Sequence, residues 1–386
     1  MENWPKILFI ADEIPQSINA GSIQFYRLFE NYPSNRLTVF GKSPVPGATV
    51  LDCRYYDLKY PFLEKLRLSR FTSMLSDLQA LEFLSPKLPK SLVKVAKAFK
   101  PDIVVSLMQH LTYYYPAYQF AKKEKLPFIL FCHDDVEDFS RIHGIFKKTL
   151  LRLNGKIYRS AAKRICISPE MAIQWKVKYG VEGDFLYPTA SKTLKTKEID
   201  FDKLQSKKQL KIGYAGSLAY GYKEGIEEII PILQETQTLL KIYRDESSLL
   251  PASKNLEYGG FSKTAEETFE KIKAECDAVI LPYSSKQCFK ALYTTHFPSK
   301  IPEYVLLGMP IIIIGPEYAN GLKWAKTKKG IFCGNSASLP GILADLKQNV
   351  PKLKKTLIAL GDIKDFDPNQ INSKFLKLLN EARKKS

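Results

Sequence analysis

Residues 296–314 read HFPSKIPEYVLLGMPIIII. Pro298 and Ser299 suit a helix start, because proline in the first turn gives up an amide that would have no internal partner there. The amides left open near Ser299, Lys300 and Ile301 face outward as donors to an anion, and the helix dipole and the Lys300 ammonium add positive charge. Glu303 lies four residues beyond Ser299, about one turn, so its carboxylate reaches the same end of the helix. Gly308 and Pro310 end the helix and introduce a strand of four isoleucines with no polar face. A strand apolar on both sides belongs in a parallel sheet covered by helices, which makes the whole stretch one step of an α/β fold.

Working outward, the same alternation fills the chain. KILFIA (6–11), LTVFG (37–41), ATVLDC (48–53), IVVSL (103–107), FILFC (128–132) and RICIS (164–168) are short apolar runs, several of them spaced by helical patterns. A second series holds KIGYAGS (211–217), LKIYRD (240–245), LEYGGF (256–261), AVILPY (278–283), IIII and GIFCG. Between the two, residues 192–209 are polar and mostly aperiodic, as a linker is. The expected organisation is therefore an α/β domain over 1–191, a linker over 192–209, a second α/β domain over 210–370, and a terminal helix over 371–386 that returns toward the first domain.

Composition agrees with a folded protein of two ordinary cores. The 386 residues are 45% hydrophobic and 25% charged, and 58 lysines and arginines against 40 acids give a net charge of +18. That excess suits a polyanionic partner: phosphorylated substrate, anionic membrane or nucleic acid. No nucleic-acid reader motif or zinc spacing occurs, and the absence of G-x-G-x-x-G disfavours a dinucleotide-dependent dehydrogenase. The six cysteines are scattered and read as small core residues in a reducing compartment. The start MENWPKILFIADE does not fit a secretory signal, and no stretch is apolar enough to span a bilayer, so a cytoplasmic location is expected.

Three further stretches carry chemistry. In YAGSLAYGYKEG (214–225) a strand runs into a glycine loop and a helix: Gly216 lets backbone approach a ligand, Ser217 offers a hydroxyl, and Lys223 can swing toward a pyrophosphate. In FCHDDVEDF (131–139) a strand ends in a loop with His133, Asp134, Asp135, Glu137 and Asp138, where doubly wound folds place ligands. RIHGIFKKTLLRLNGKIYRSAAKR (141–164) holds eight basic residues and no acid. Ile142, Phe146, Leu150, Leu153, Ile157 and Ala161 form its apolar stripe, with Lys148, Arg152, Arg159 and Lys163 mainly on the other side. Such a helix can rest on an anionic membrane surface.

These phrases together, with Gly21 in the first loop and ISPEM near the first domain's end, resemble the GT-B glycosyltransferases, and more narrowly glycosyltransferase family four; PSK-x-x-EY-x-x-x-G-x-P is the most specific of them. The resemblance implies two Rossmann-like doubly wound domains facing across a cleft, and transfer of a sugar from a UDP- or GDP-linked donor with retention of configuration, without a metal or other cofactor. It implies that Ser299, Lys300, Ile301, Gly216, Ser217 and Lys223 hold the diphosphate and Glu303 the ribose. It also places His133 near the donor sugar and Asp134 near the acceptor, a glycan or lipid-linked hydroxyl at the inner face of the plasma membrane in polysaccharide or glycolipid synthesis. Two departures stand out. Ser217 occupies a place where arginine is common, and Thr295 stands where the family often has its first glutamate, leaving Thr294, Thr295 or His296 to meet the sugar. The alternatives are a nucleotide-sugar epimerase or hydrolase of the same fold, or a basic membrane- or nucleic-acid-binding protein.

Overall fold

The computed structural model describes residues 4–68, 71–135, 142–193, 196–245, 249–260 and 262–384. The chain divides into two units, Met1–Thr189 with Asn369–Ser386, and Ala190–Pro368.

The first unit holds strands β1 (Ile7–Ile10), β2 (Leu37–Gly41), β3 (Arg54–Asp57), β4 (Ile103–Leu107), β5 (Phe128–Cys132), β6 (Lys163–Cys166) and β7 (Asp184–Phe185). Their order is β3-β2-β1-β4-β5-β6-β7, and each ladder is parallel. β1, β2, β4 and β5 are buried at every position, as their unbroken apolar runs require. The expected strand at 48–53 is displaced. Val50 makes one antiparallel bridge to Gln16, and the edge strand is instead Arg54–Asp57, half-exposed and tyrosine-bearing. Leu51 and Cys53 pack on the core without joining the ladder.

The second unit holds β8 (Lys211–Ala215), β9 (Leu239–Tyr243), β10 (Leu256–Tyr258), β11 (Ala278–Pro282), β12 (Ile311–Ile314) and β13 (Phe332–Gly334), in the order β10-β9-β8-β11-β12-β13 and again parallel. In each sheet the strand order reverses beside the unit's first strand, between β1 and β4 and between β8 and β11. The carboxyl ends of those strands are where such folds bind ligands.

The stretch 192–209 is built into the second unit. Lys197 donates its amide to the Leu307 carbonyl (2.8 Å) and its ammonium to that of Cys276 (2.7 Å). Asp200 caps the helix Phe201–Ser206 by accepting from the Lys203 amide, and Leu204 is buried. Polar residues there serve caps and carbonyl contacts, which a reading by composition takes for a linker.

The helix Pro368–Lys384 starts at the unit boundary, and from Asn369 onward it belongs to the first unit. Ile371, Phe375, Leu378, Leu379 and Ala382 join that unit's core, with the Phe375 ring 5.6 Å from Phe29 and 5.9 Å from Phe131. Phe375→Ala should therefore destabilise the first unit by about 3–5 kcal/mol, measured by denaturant unfolding. An unchanged midpoint would mean that this helix does not complete the core.

Candidate functional site

The second unit's site forms where β8 ends. Ala215 donates its amide to the buried Tyr304 hydroxyl at 3.1 Å, which fixes the strand end to the helix Ile301–Leu307. That helix begins later than the sequence suggests. Pro298–Lys300 form a turn in which the Ile301 amide donates to the Pro298 carbonyl (3.2 Å), so this donor is already engaged. Gly216 follows the strand at φ +117°, and a β-carbon there would lie 3.0 Å from the Lys300 ammonium. Only glycine lets the cation approach this backbone at that torsion.

Lys300 is half-buried between two aromatic rings, 4.2 Å from the Tyr214 centroid and 4.1 Å from that of Tyr222. Its Nζ donates to the Tyr214 hydroxyl at 2.9 Å, and that hydroxyl donates to the Ser217 carbonyl at 2.5 Å. Among the described residues no carboxylate pairs with Lys300. Burial, with no counter-charge to offset it, pushes its ammonium down to about 7.

The other predicted residues fall unevenly. Ser217 is exposed and its Oγ accepts from the Ala219 amide, closing a local turn. Lys223, in the first turn of the helix Tyr222–Glu235, pairs with Glu227 at 2.9 Å, and this contact holds its ammonium above the usual range. Glu303 is 4% exposed. Thr295 is buried with its hydroxyl toward the Leu292 carbonyl, whereas Thr294 is half-exposed and its hydroxyl donates to the Lys290 carbonyl at the surface. His296, half-exposed, stacks on Tyr220 with centroids 6.2 Å apart.

In the first unit His133 follows β5 and stacks on Phe25 at 5.0 Å, with Phe131 edge-on. Burial pushes its imidazole down to about 4, although neighbouring Asp134 favours the charged form. It is a neutral ring at physiological pH, fit to donate or accept a hydrogen bond but not to carry charge. Asp135 is taken up by Lys178 at 2.7 Å. Glu137, Asp138 and Arg141 lie outside the described residues.

A second group at the ends of β1 and β4 was not read from the sequence. Asp12, with only 2% of its side chain exposed, lies 3.3 Å from His110 Nε2 and 3.8 Å from Lys42. Glu13 accepts from the Ser22 hydroxyl at 2.9 Å, and burial raises its carboxyl above the ordinary range. Gly21 sits against it: a β-carbon there would meet the Glu13 carboxylate at 3.1 Å. The signal was available, since Ala-Asp-Glu and Met-Gln-His directly follow the two strands at the sheet's switch point. Among the described residues no three metal-ligating side chains converge on one point.

Residues 53–185 match the model of Glycosyltransferase Family 4. No curated protein matches the sequence. Among solved structures, the apo form of the lipopolysaccharide outer core galactosyltransferase WaaB superposes with a TM-score of 0.60 at 16% identity, over 96% of this chain and 99% of that one. A UDP-glucosyltransferase from Polygonum tinctorium gives 0.54 at 12% identity, over 97% and 99%. A putative UDP-N-acetylglucosamine 2-epimerase from Listeria monocytogenes gives 0.53 at 12% identity, over 99% and 98%. The fold is thus GT-B, and the likeness to glycosyltransferase family four rests in sequence on residues 53–185 as well as on the quoted phrases.

Removing the Tyr304 hydroxyl strands a buried amide. Tyr304→Phe should lower the second unit's stability by about 1–3 kcal/mol in denaturant titrations. Equal midpoints for the two proteins would remove Tyr304 from its positioning role.

Proposed function

We propose that the protein is a glycosyltransferase that moves a sugar from a UDP- or GDP-linked donor to a hydroxyl of a glycan or lipid-linked acceptor, with retention and without a metal. The carrying observation is Lys300, a cation held against the Gly216 backbone by two ring faces and a hydroxyl. Aromatic faces attract a cation without neutralising it, which leaves its charge for an incoming anion. In this reading the diphosphate lies over Gly216, beside the Ser217 loop and the Pro298–Lys300 turn, and Glu303 reaches for the ribose. Lys300 then stabilises the negative charge that grows on the leaving diphosphate, and the diphosphate takes the proton of the attacking hydroxyl. Lys223 adds charge once it leaves Glu227. His133 and Asp134 are the residues for the sugar and the acceptor, His133 as a neutral hydrogen-bonding ring.

Calorimetry with UDP, GDP and ADP, without metal, tests this. One nucleotide should bind, and Lys300→Ala and Glu303→Ala should each weaken it by about 10–100-fold, as the loss of a charge-assisted contact does. If the wild type binds none, the transferase reading fails. Release of free sugar without any acceptor would instead favour a hydrolase, and a changed donor sugar an epimerase.

The pH dependence follows from Lys300. Its free value is about 7, and a bound anion raises it, so nucleotide binding takes up a proton above that pH. Tyr214 and Tyr222, the groups facing it, are held by burial well above the ordinary tyrosine value and stay neutral. Affinity should be full below pH about 7 and fall as pH rises through it, and Lys300→Arg should flatten the profile.

We also propose that the first unit rests on an anionic membrane. The apolar stripe of the helix Gly144–Ser160 is largely taken up by packing, since Leu150, Leu153 and Ile157 are buried, while Lys147, Lys148, Arg152 and Arg159 are exposed; Lys163, expected on the same basic face, lies beyond the helix in β6, buried against Asp184 and Glu381. His143 Nδ1 meets Asp77 at 2.7 Å and Lys156 meets Glu82 at 2.6 Å, which lays the segment 77–82 along this helix. Beside that segment Phe71 is 92% and Phe83 77% exposed, an arrangement of rings next to cations that suits a lipid interface. Among the described residues no helix is long and apolar enough to cross a membrane. The protein should co-sediment with phosphatidylglycerol-containing vesicles and less with phosphatidylcholine alone. Phe71→Ser with Phe83→Ser should reduce capture several-fold, and equal capture by both vesicle types would end the proposal.

A further inference from the structure

β9 ends beside β8. The parallel register sets Tyr214 opposite Ile242 and Ala215 opposite Tyr243, and there both strands end: Gly216 turns off at φ +117°, and Arg244 bends back with its amide on the Ile242 carbonyl at 3.1 Å. Arg244 and Gly216 thus follow neighbouring strand ends directly, and the Lys300 ammonium lies against the Gly216 backbone, where a β-carbon would meet it at 3.0 Å. Arg244 is half-buried, and its Nε is shut off from solvent with no hydrogen-bond acceptor among the described residues. Nor does an ion pair hold it among those residues. Lys300 donates to the hydroxyl of Tyr214, two residues before Gly216 on β8. A buried guanidinium nitrogen without an acceptor is costly unless a ligand supplies one.

We propose that Arg244 is the second cation of the diphosphate site, its planar fork taking phosphate oxygens beside those held by Lys300. This rests on the reading of the second unit as the nucleoside-diphosphate site. The two cations divide the work by chemistry. Arginine stays charged at every pH at which the protein is folded, whereas Lys300 is partly neutral above pH about 7. Arg244 therefore supplies the charge that persists when Lys300 has lost its own.

The test titrates the diphosphate that the wild type binds, its monophosphate and inorganic pyrophosphate into wild type, Arg244→Gln, Arg244→Lys and Lys300→Ala. Arg244→Gln should lose about tenfold or more for the diphosphate and less for the monophosphate, with Arg244→Lys between the two proteins. Pyrophosphate should compete with the nucleotide in the wild type and lose that capacity in Arg244→Gln. Wild-type affinity in Arg244→Gln beside a loss in Lys300→Ala would overturn the role of Arg244 and leave the site standing. Equal losses of mono- and diphosphate would overturn it too, since they place the effect outside the second phosphate. A wild type that binds no nucleoside diphosphate removes the reading on which the inference rests.

Discussion

The hydrogen bond from the Ala215 amide to the Tyr304 hydroxyl joins the last residue of one strand to a helix nearly ninety positions later in the chain. A seven-residue helix has too few internal bonds to stand alone, so Ile301–Leu307 takes its place from burial of Ile301, Tyr304, Val305 and Leu307. Tyr304 does two things at once. Its ring fills space against Phe269, and its oxygen satisfies an amide that the sheet has stopped using. Gly216 and Lys300 meet because these two elements are pinned at that point. Loosening it would move backbone and cation apart without touching either.

Lys300 is set apart by how its charge is met. It is surrounded by the faces and hydroxyl of tyrosines, which hold a cation while leaving its field uncancelled. Other lysines of low exposure in both units meet carboxylates: Lys163 is shared by Asp184 and Glu381, and Lys241 by Glu257 and Glu275. Compensated charges stabilise a framework. An uncompensated one marks the place where a partner of opposite sign completes the structure.

Most of the fold was legible because continuous apolar runs such as Ile103–Leu107 and Ile311–Ile314 admit few readings besides a buried parallel strand. The edge was not. Arg54–Asp57 is half-exposed, and its neighbour Ala48–Cys53 is the more apolar of the two, so hydrophobicity favoured the wrong segment. Likewise, the helix Phe201–Ser206 is short and mostly polar, and only its Asp200 cap and Leu204 betray it. At the site, Lys300 and Glu303 were named from spacing within one motif and Gly216 from the glycine loop of another. The tyrosine cradle was invisible, because Tyr214 and Tyr222 come from another strand and helix. Arg244 depends on two strands ending side by side, and the Asp12, Glu13, Gln109 and His110 group on two strand ends far apart in sequence. Burial of Thr295 was not legible either: a threonine inside a helix can turn its hydroxyl back to its own carbonyls, and this one does.

The helix Pro368–Lys384 carries a consequence for synthesis. Phe29 and Phe131 are made early, yet Phe375, which covers them, emerges from the ribosome only after the entire second unit. The second unit is continuous in sequence and can complete its core while the first still shows an apolar groove to the cell. The order of assembly thus runs against the order of translation. During that interval the first unit's aromatic groove is the surface most open to chaperones and to aggregation.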